Sequence, residues 1–267
     1  MAVGRTDQAK RGVETVKRAF TLLRCFSQEN PELGVTELSH RLDVHKSTVS
    51  RLLSTLQSES MVVRNPETGR YRLGVGLIEL ASLAMLDSDM RRIAPPMLRE
   101  LAEETNETVN LAVLDGHEVI NVELIQPLAR RVSNYGWVGR RTPLHASSTG
   151  KALIADLPET AWAGKLAGPL TKYTEQTITD PDELRAELRR VRKLGYALGL
   201  EELEIGLNAV AAPVCNHAGL VVAAVSTAGP SYRLSRELIE NSVAKRVIEC
   251  ANRIADALGC PPQRERK

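Results

Sequence analysis

Between Lys46 and Gln57 the chain carries no acidic residue, while apolar side chains stand at Val49, Leu52, Leu53 and Leu56, a spacing of i, i+3, i+4, i+7. That period marks one face of an amphipathic helix, expected over about His45–Ser58. The opposite face holds Ser47, Ser50, Arg51, Ser54 and Thr55. Upstream, Thr36–Leu42 reads as a short helix with Thr36 as the expected N-cap, and Asp43-Val44 leaves only a tight turn between the two. Downstream, Met61–Arg64 and Arg70–Leu73 flank the turn-rich Asn65-Pro66-Glu67-Thr68-Gly69, the pattern of a β hairpin. A further helix is expected over Val13–Phe26, with Val16, Phe20, Leu23 and Phe26 on one face, and the polar residues 1–12 are expected to form a loose arm.

Helix, tight turn, helix and basic hairpin together make a winged helix-turn-helix, placed at residues 13–73. A helix fits the major groove, and hydroxyls and cations with no nearby acid suit phosphates and base acceptors. Lys46, Ser47, Thr48, Ser50 and Arg51 are therefore the candidate groove contacts, with Arg64, Arg70 and Arg72 of the hairpin aimed at the DNA backbone. Exposed helix faces are polar in any case, which is the plain alternative for Ser50, Ser54 and Thr55. His45 is read as a helix start and His40 as a surface residue. Residues 1–73 hold 12 Lys and Arg against 8 Asp and Glu, and the remainder 23 against 25. A basic first quarter on a mildly acidic body suits a nucleic-acid module fused to something else.

Gly74–Leu86 is apolar nearly all round a helix, through Val75, Leu77, Ile78, Leu80, Leu83 and Leu86. Such a helix cannot stand alone in water. Residues 74–87 are read as a linker, with Leu77, Ile78, Leu80, Leu83 and Leu86 as the candidate dimerisation surface. From 88 to 260 the chain mixes helices with strand hairpins. Helices are expected at Ser88–Thr105 (disturbed by Pro95-Pro96), Ser148–Ala155, Glu159–Leu166, Asp182–Leu194 and Ser235–Leu258. Strands are expected at Thr108–Asp115, Glu118–Gln126, Arg131–Val138, Leu207–Cys215 and Leu220–Ala228. The fold class is α+β in two domains, with an antiparallel sheet covered by helices in the second. Aromatics are 3% of the chain, so its cores are built from Leu, Val, Ile and Ala.

The cysteines Cys25, Cys215, Cys250 and Cys260 form no C-x-x-C pair, no secretory segment opens the chain, and no run of 18 apolar residues occurs. A cytoplasmic protein with mostly buried thiols is the expectation. No His-Glu-x-x-His, G-x-S-x-G or dinucleotide fingerprint is present, and no cofactor, metal or catalytic set is expected. Ser147 lies near His145, with no orienting acid at a known spacing.

The stretch GVTELSHRLDVHKSTVSRLLSTLQSESMVVRNPETGRYRLGVGLIELA resembles the N-terminal domain of the IclR family of bacterial transcriptional regulators. Two later blocks, RTPLHASSTGKALIADLP and RKLGYALGLEELEIGLNAVAAPVCNHAGLVVAAVSTAGPSYRL, extend the likeness in order over about Val13–Leu258. The resemblance implies a GAF-like effector-binding domain, a homodimer built through the N-terminal domains and often a tetramer. It also implies ligand-controlled binding to double-stranded DNA operators as repressor or activator.

For the sensor, the resemblance places Ser148 and Thr149 at the effector, at a helix start whose free N–H groups suit an anion. Family members that bind small keto acids use an Asp, a Cys and two Ser. The matching positions here are Gly199, Ala209, Ser226 and Ala228. The expected pocket is Ser148, Thr149, Asn110, Asn208, Ser226 and Ala228. Asn208 could equally bond its own strand, Trp137 could serve core or pocket, Gly150 could serve close packing and Lys151 could be a surface residue. Loss of three polar anchors predicts an effector larger and less polar than pyruvate. EELEIGLNAVAAP resembles relatives that regulate aromatic-compound catabolism, so an aromatic or other larger organic acid is expected. The alternatives are a ligand-binding enzyme with a regulatory N-terminal domain, and an architectural, ligand-independent DNA protein.

Overall fold

The computed structural model describes residues 3–27, 29–86, 89–127 and 138–261, with side chains from Val13 onward and not at 82–89. The strand expected over Arg131–Val138, the role of Trp137 and the side chains of Leu83 and Leu86 lie outside these residues. The chain divides into two units, one up to Asp87 and one from Ser88.

The first unit opens with α1 (Val3–Leu23), so the helix takes in most of the segment expected to be a loose arm. Among its described side chains Leu22 is buried, while Val16 and Phe20 are more than half exposed. α2 (Val35–Leu42) starts one residue earlier than expected. Its cap is Gly34, whose N–H donates to the Glu37 carboxylate at 2.8 Å, and not Thr36. The bond runs one way: an acid three residues into a helix reaches back to an otherwise orphaned amide. Asp43 takes a left-handed conformation at φ 51°, and the Ser39 hydroxyl donates to the Val44 carbonyl at 2.6 Å, closing the turn. α3 (Lys46–Ser58) follows, with His45 as its cap through Nδ1. Leu33, Leu38, Val49, Leu52 and Leu53 form the core with Leu22 and Val62. Each fully buried Leu or Val contributes roughly 1.5–3 kcal/mol over exposure.

β1 (Val62–Arg64) and β2 (Tyr71–Leu73) pair antiparallel as the wing, and Leu33 bridges to Tyr71 on its other edge. α4 (Gly76–Leu86) starts against the end of α3, where a Cβ on Gly74 would fall 2.2 Å from the Ser60 carbonyl oxygen. Only glycine permits that approach.

Among the described residues the second unit is built on a six-stranded antiparallel sheet in the order β5-β4-β3-β8-β7-β6. The strands are β3 (Thr108–Asp115), β4 (Glu118–Ile125), β5 (Arg141–Pro143), β6 (Ala197–Leu200), β7 (Leu207–Cys215) and β8 (Val221–Pro230). β5 and β6 went unseen in the sequence because strands of three and four residues give no measurable alternation. One face packs on α5 (Asp89–Thr105), which stays helical through Pro95-Pro96, and on α10 (Ala244–Ala257). A short α9 (Arg236–Leu238), capped by Ser235, and a π-helical turn at Ile239–Val243 lead into α10.

The other face carries α6 (Ser148–Ala155), every residue of which is buried. α8 (Pro181–Leu194) packs over α6, and α7 (Glu159–Lys165) contributes Trp162 to the same core.

The cysteines depart from expectation. Cys215, at the end of β7, is disulfide-bonded to Cys260, just past α10. Packing of α10 on β7 brings together two Cα atoms 45 residues apart in sequence to 5.7 Å. Cys250 remains a thiol, which burial pushes up to about 12.

Candidate functional site

In the first unit, burial of Val49, Leu52 and Leu53 turns the opposite face of α3 outward. Lys46, Ser47, Ser50 and Arg51 are exposed and Thr48 half-buried. The Ser47 hydroxyl lies 2.9 Å from His45 Nδ1, so part of its hydrogen-bonding capacity serves the helix start. Lys46, Arg51 and the wing's Arg72 have no ion-pair partner among the described residues. Arg64 donates to the Gly69 carbonyl at 3.3 Å and lies 6.0 Å from the Tyr71 ring centre.

Arg70 is differently placed. Its Nη2 donates to both Glu37 oxygens, at 3.0 and 2.7 Å, and to the Glu32 carbonyl at 3.0 Å, tying the wing to α2. The Gly34 amide and then the Arg70 guanidinium hold the Glu37 carboxyl below its ordinary range. The sequence hides this bond because its partners are 33 residues apart.

Val75, just before α4, and Ile78 and Leu80 on it are 64%, 66% and 53% exposed, and α1 adds exposed Val13, Val16 and Phe20. Leu77 is half-buried. Apolar side chains thus stand uncovered on two helices of this unit.

In the second unit a pocket opens between the N-terminus of α6 and the sheet. It encloses about 540 Å³, counting its open mouth. Five of the six expected residues line it: Asn110, Ser148, Thr149, Ser226 and Ala228. Asn208 does not. Strand alternation turns it to the opposite face, where its Nδ2 donates to the Leu234 carbonyl at 2.9 Å. The aligned positions Gly199 and Ala209 do line the pocket. A Cβ on Gly199 would lie 3.2 Å from the Ser148 nitrogen, so the missing side chain lets β6 approach the helix amides.

Sequence reasoning missed Asn121, Arg140, Thr142, Ser147, Leu203 and Leu207, which complete the wall with Ala146. Asn121 was within reach, since it stands two residues from the buried Val119 on β4. Arg140 and Leu203 sit on connections, where no periodicity applies.

The Ser147 hydroxyl is committed to structure: it accepts from the Gly150 N–H at 3.1 Å and donates to the Pro143 carbonyl at 2.7 Å. His145 Nε2 lies 2.9 Å from the Thr171 carbonyl oxygen. The two are not paired as nucleophile and base, and among the described residues no group of His, Cys, Asp or Glu is placed to hold a metal.

Lys151 overturns its surface reading. It is wholly buried, and its ammonium donates to both Glu202 oxygens, at 2.6 and 2.8 Å. Glu187 lies 4.0 Å away and pairs with Arg190. Burial raises the Glu202 carboxyl above its usual value, with Lys151 opposing the shift. Thr174 and Thr177 donate to the carbonyls of Glu201 and Glu202, each at 2.6 Å. These bonds pin the loop that presents Leu203 to the pocket and Glu204 to Arg140, at 3.5 Å. Gly150 also acts locally: an added Cβ would fall 2.4 Å from the Leu144 carbonyl oxygen, so it seats α6 on the preceding loop and not on the sheet.

The chain matches the IclR helix-turn-helix domain over residues 15–66 and the bacterial transcriptional regulator IclR C-terminal domain over residues 83–256. It is 35% identical over 250 residues to the HTH-type transcriptional regulator XynR of Escherichia coli, covering 93% of this chain and 98% of that protein. Among solved structures, the IclR of Thermotoga maritima superposes with a TM-score of 0.76 at 30% identity, covering 92% of this chain and 99% of that one. An IclR homolog of Microbacterium hydrocarbonoxydans, complexed with 4-hydroxybenzoate, gives 0.81 at 27% identity, covering 91% and 98%. No helix among the described residues is long and apolar enough to cross a membrane. Two matched domains in family order and near-full-length relatives lead to one conclusion: this chain belongs to the IclR family of bacterial transcriptional regulators, with an N-terminal helix-turn-helix and a C-terminal effector-binding domain.

Proposed function

We propose that the chain binds double-stranded operator DNA through α3 and the wing, acts as a homodimer that can pair into a tetramer, and is controlled by an organic acid larger than pyruvate. The observation that carries the DNA assignment is the acid-free outer face of α3, whose cations have no ion-pair partner among the described residues and which is followed by the exposed Arg72. Lys46, Ser47, Thr48, Ser50 and Arg51 enter the groove. Arg64 and Arg72 meet phosphates, while Arg70 braces the wing through Glu37. In a gel-shift or fluorescence assay on the promoter fragment, Arg51→Ala should weaken binding by about 1–3 kcal/mol if it reads a base. Arg72→Ala should weaken binding to all sequences and lower the salt slope by about one. Unchanged binding in both variants would remove the assignment.

The dimer is supported by the exposed Val75, Ile78 and Leu80, since large apolar side chains this exposed gain free energy by burial against a second copy. Leu80→Asp leaves the core of the unit untouched. It should convert a sedimenting dimer to monomer at micromolar concentration. A wild-type monomer under the same conditions would contradict the proposal.

The effector assignment is supported by the pocket at the α6 N-terminus, where amides and the helix dipole favour an anion. A structural neighbour that holds 4-hydroxybenzoate fits an acid of that size.

A further inference from the structure

Buried polar side chains in folded proteins are nearly always hydrogen-bonded. Asn110, Asn121, Ser148, Thr149 and Ser226 are buried and line the pocket, yet their side chains make no hydrogen bond to the protein among the described residues. Asn110 is 94% buried, and its Oδ1 has neither partner nor solvent. Ser147, in the same wall, is fully engaged with its neighbours. None of the five therefore gives the fold a side-chain hydrogen bond, and the orphaned Asn110 Oδ1 costs stability.

Their placement is ordered. Asn110 on β3 and Ser226 on β8 are direct cross-strand partners, so their side chains stand side by side on the pocket floor. Asn121 reaches the same space from β4. Toward β6 the floor continues through Ala228, Ala209 and Gly199, which leave room and offer no side-chain polarity. Above the floor lies the first turn of α6, where the N–H groups of Gly150 and Lys151 are already bonded to Ser147. Those of Ser148 and Thr149 have no partner among the described residues. Arg140 is the one charged residue of the described lining; it pairs with Glu204 at 3.5 Å outside that lining, and no carboxylate stands among the described lining residues.

One end of the site thus favours a negative charge, and the floor offers groups that both donate and accept. An unsubstituted ring or alkyl chain laid on that floor would displace water from these groups and return no hydrogen bond. We propose that the effector is a carboxylic acid bearing two or more hydroxyl groups. Its carboxylate rests on the Ser148 and Thr149 amides beside Arg140, and its hydroxyls are read by Asn110, Asn121 and Ser226. The proposal rests on the effector-binding role above and narrows the acid to a hydroxylated one.

Two probe pairs of matched carbon skeleton test it by calorimetry on the full-length protein: hexanoate against D-gluconate, and benzoate against 3,4-dihydroxybenzoate. In at least one pair the hydroxylated acid should bind tenfold or more tightly. Asn110→Leu and Ser226→Ala should each cut that preference below threefold while changing affinity for the deoxy partner little. Should Asn110→Leu fail to fold, Ser226→Ala, which removes a single hydroxyl, carries the test. Equal or tighter binding of the deoxy acid in both pairs, no binding by any of the four, or a preference that survives Ser226→Ala would overturn the proposal. Promoter-fragment binding measured in parallel reports on the regulator assignment separately: its loss would fault that assignment and leave the acid preference to stand or fall on the calorimetry.

Discussion

Lys151→Met should lower the melting temperature of the second unit by about 6–20 °C. Lys151 is wholly buried and its ammonium contacts both oxygens of Glu202, itself buried. Removing one member of such a pair leaves an uncompensated charge and costs about 3–5 kcal/mol. For a unit of this size each kcal/mol corresponds to roughly 2–4 °C. Burial already raises the Glu202 carboxyl, and loss of Lys151 removes the cation that opposes that shift. An acid whose folded value lies above its unfolded one binds more protons when folded, so stability falls as pH rises through the interval between the two. The variant's deficit should therefore be smaller near pH 5 than near pH 8. Lys151→Met combined with Glu202→Leu should recover part of the loss, because no buried charge is then left unpaired. Calorimetric melting at the two pH values checks this. A deficit below 1 kcal/mol with no pH dependence would mean that water reaches the pair.

Gly150→Ala should destabilise the chain and weaken its response to the effector. In a helix interior this exchange ordinarily gains up to about 1 kcal/mol from backbone entropy. Here the new Cβ would lie 2.4, 2.5 and 2.7 Å from the carbonyl oxygen, Cα and carbonyl carbon of Leu144. All three are backbone atoms, so no rotamer change relieves the clash. Overpacking of this kind costs about 1–3 kcal/mol, which outweighs the propensity gain. The strain falls on the first turn of α6, where Ser148 and Thr149 line the pocket. Thermal melts should show a lower midpoint, and titration with a binding acid should show reduced affinity. A variant more stable than wild type would show that the Leu144 segment yields freely.

Lys151 also marks the limit of what is legible in a sequence. A lone lysine on a helix reads as solvated, because the partner that buries it, Glu202, is 51 residues away and sits in a loop with no periodicity. The same holds for Arg70 and Glu37, and for Cys215 and Cys260. Asn208 and Asn110 show the finer version. Both are strand asparagines with buried side chains, and only strand pairing decides that Asn110 faces the pocket and Asn208 the opposite side.

What the sequence determined by itself is local or periodic. The stripe at Val49, Leu52 and Leu53 dictates which face of α3 turns outward, because apolar residues at helical spacing must be buried together. The turn residues between Arg64 and Arg70 dictate the wing, and apolar, β-branched runs bounded by turn residues dictate the long strands β3, β4, β7 and β8. Three ordered blocks of family pattern named the two domains. What only the tertiary structure decided is which distant groups meet: the short edge strands β5 and β6, the ion pair beneath α6 and the hydrogen-bonding groups left open on the pocket floor. Those depend on register and packing between segments far apart in the chain, and neither leaves a trace in the spacing of residues along it.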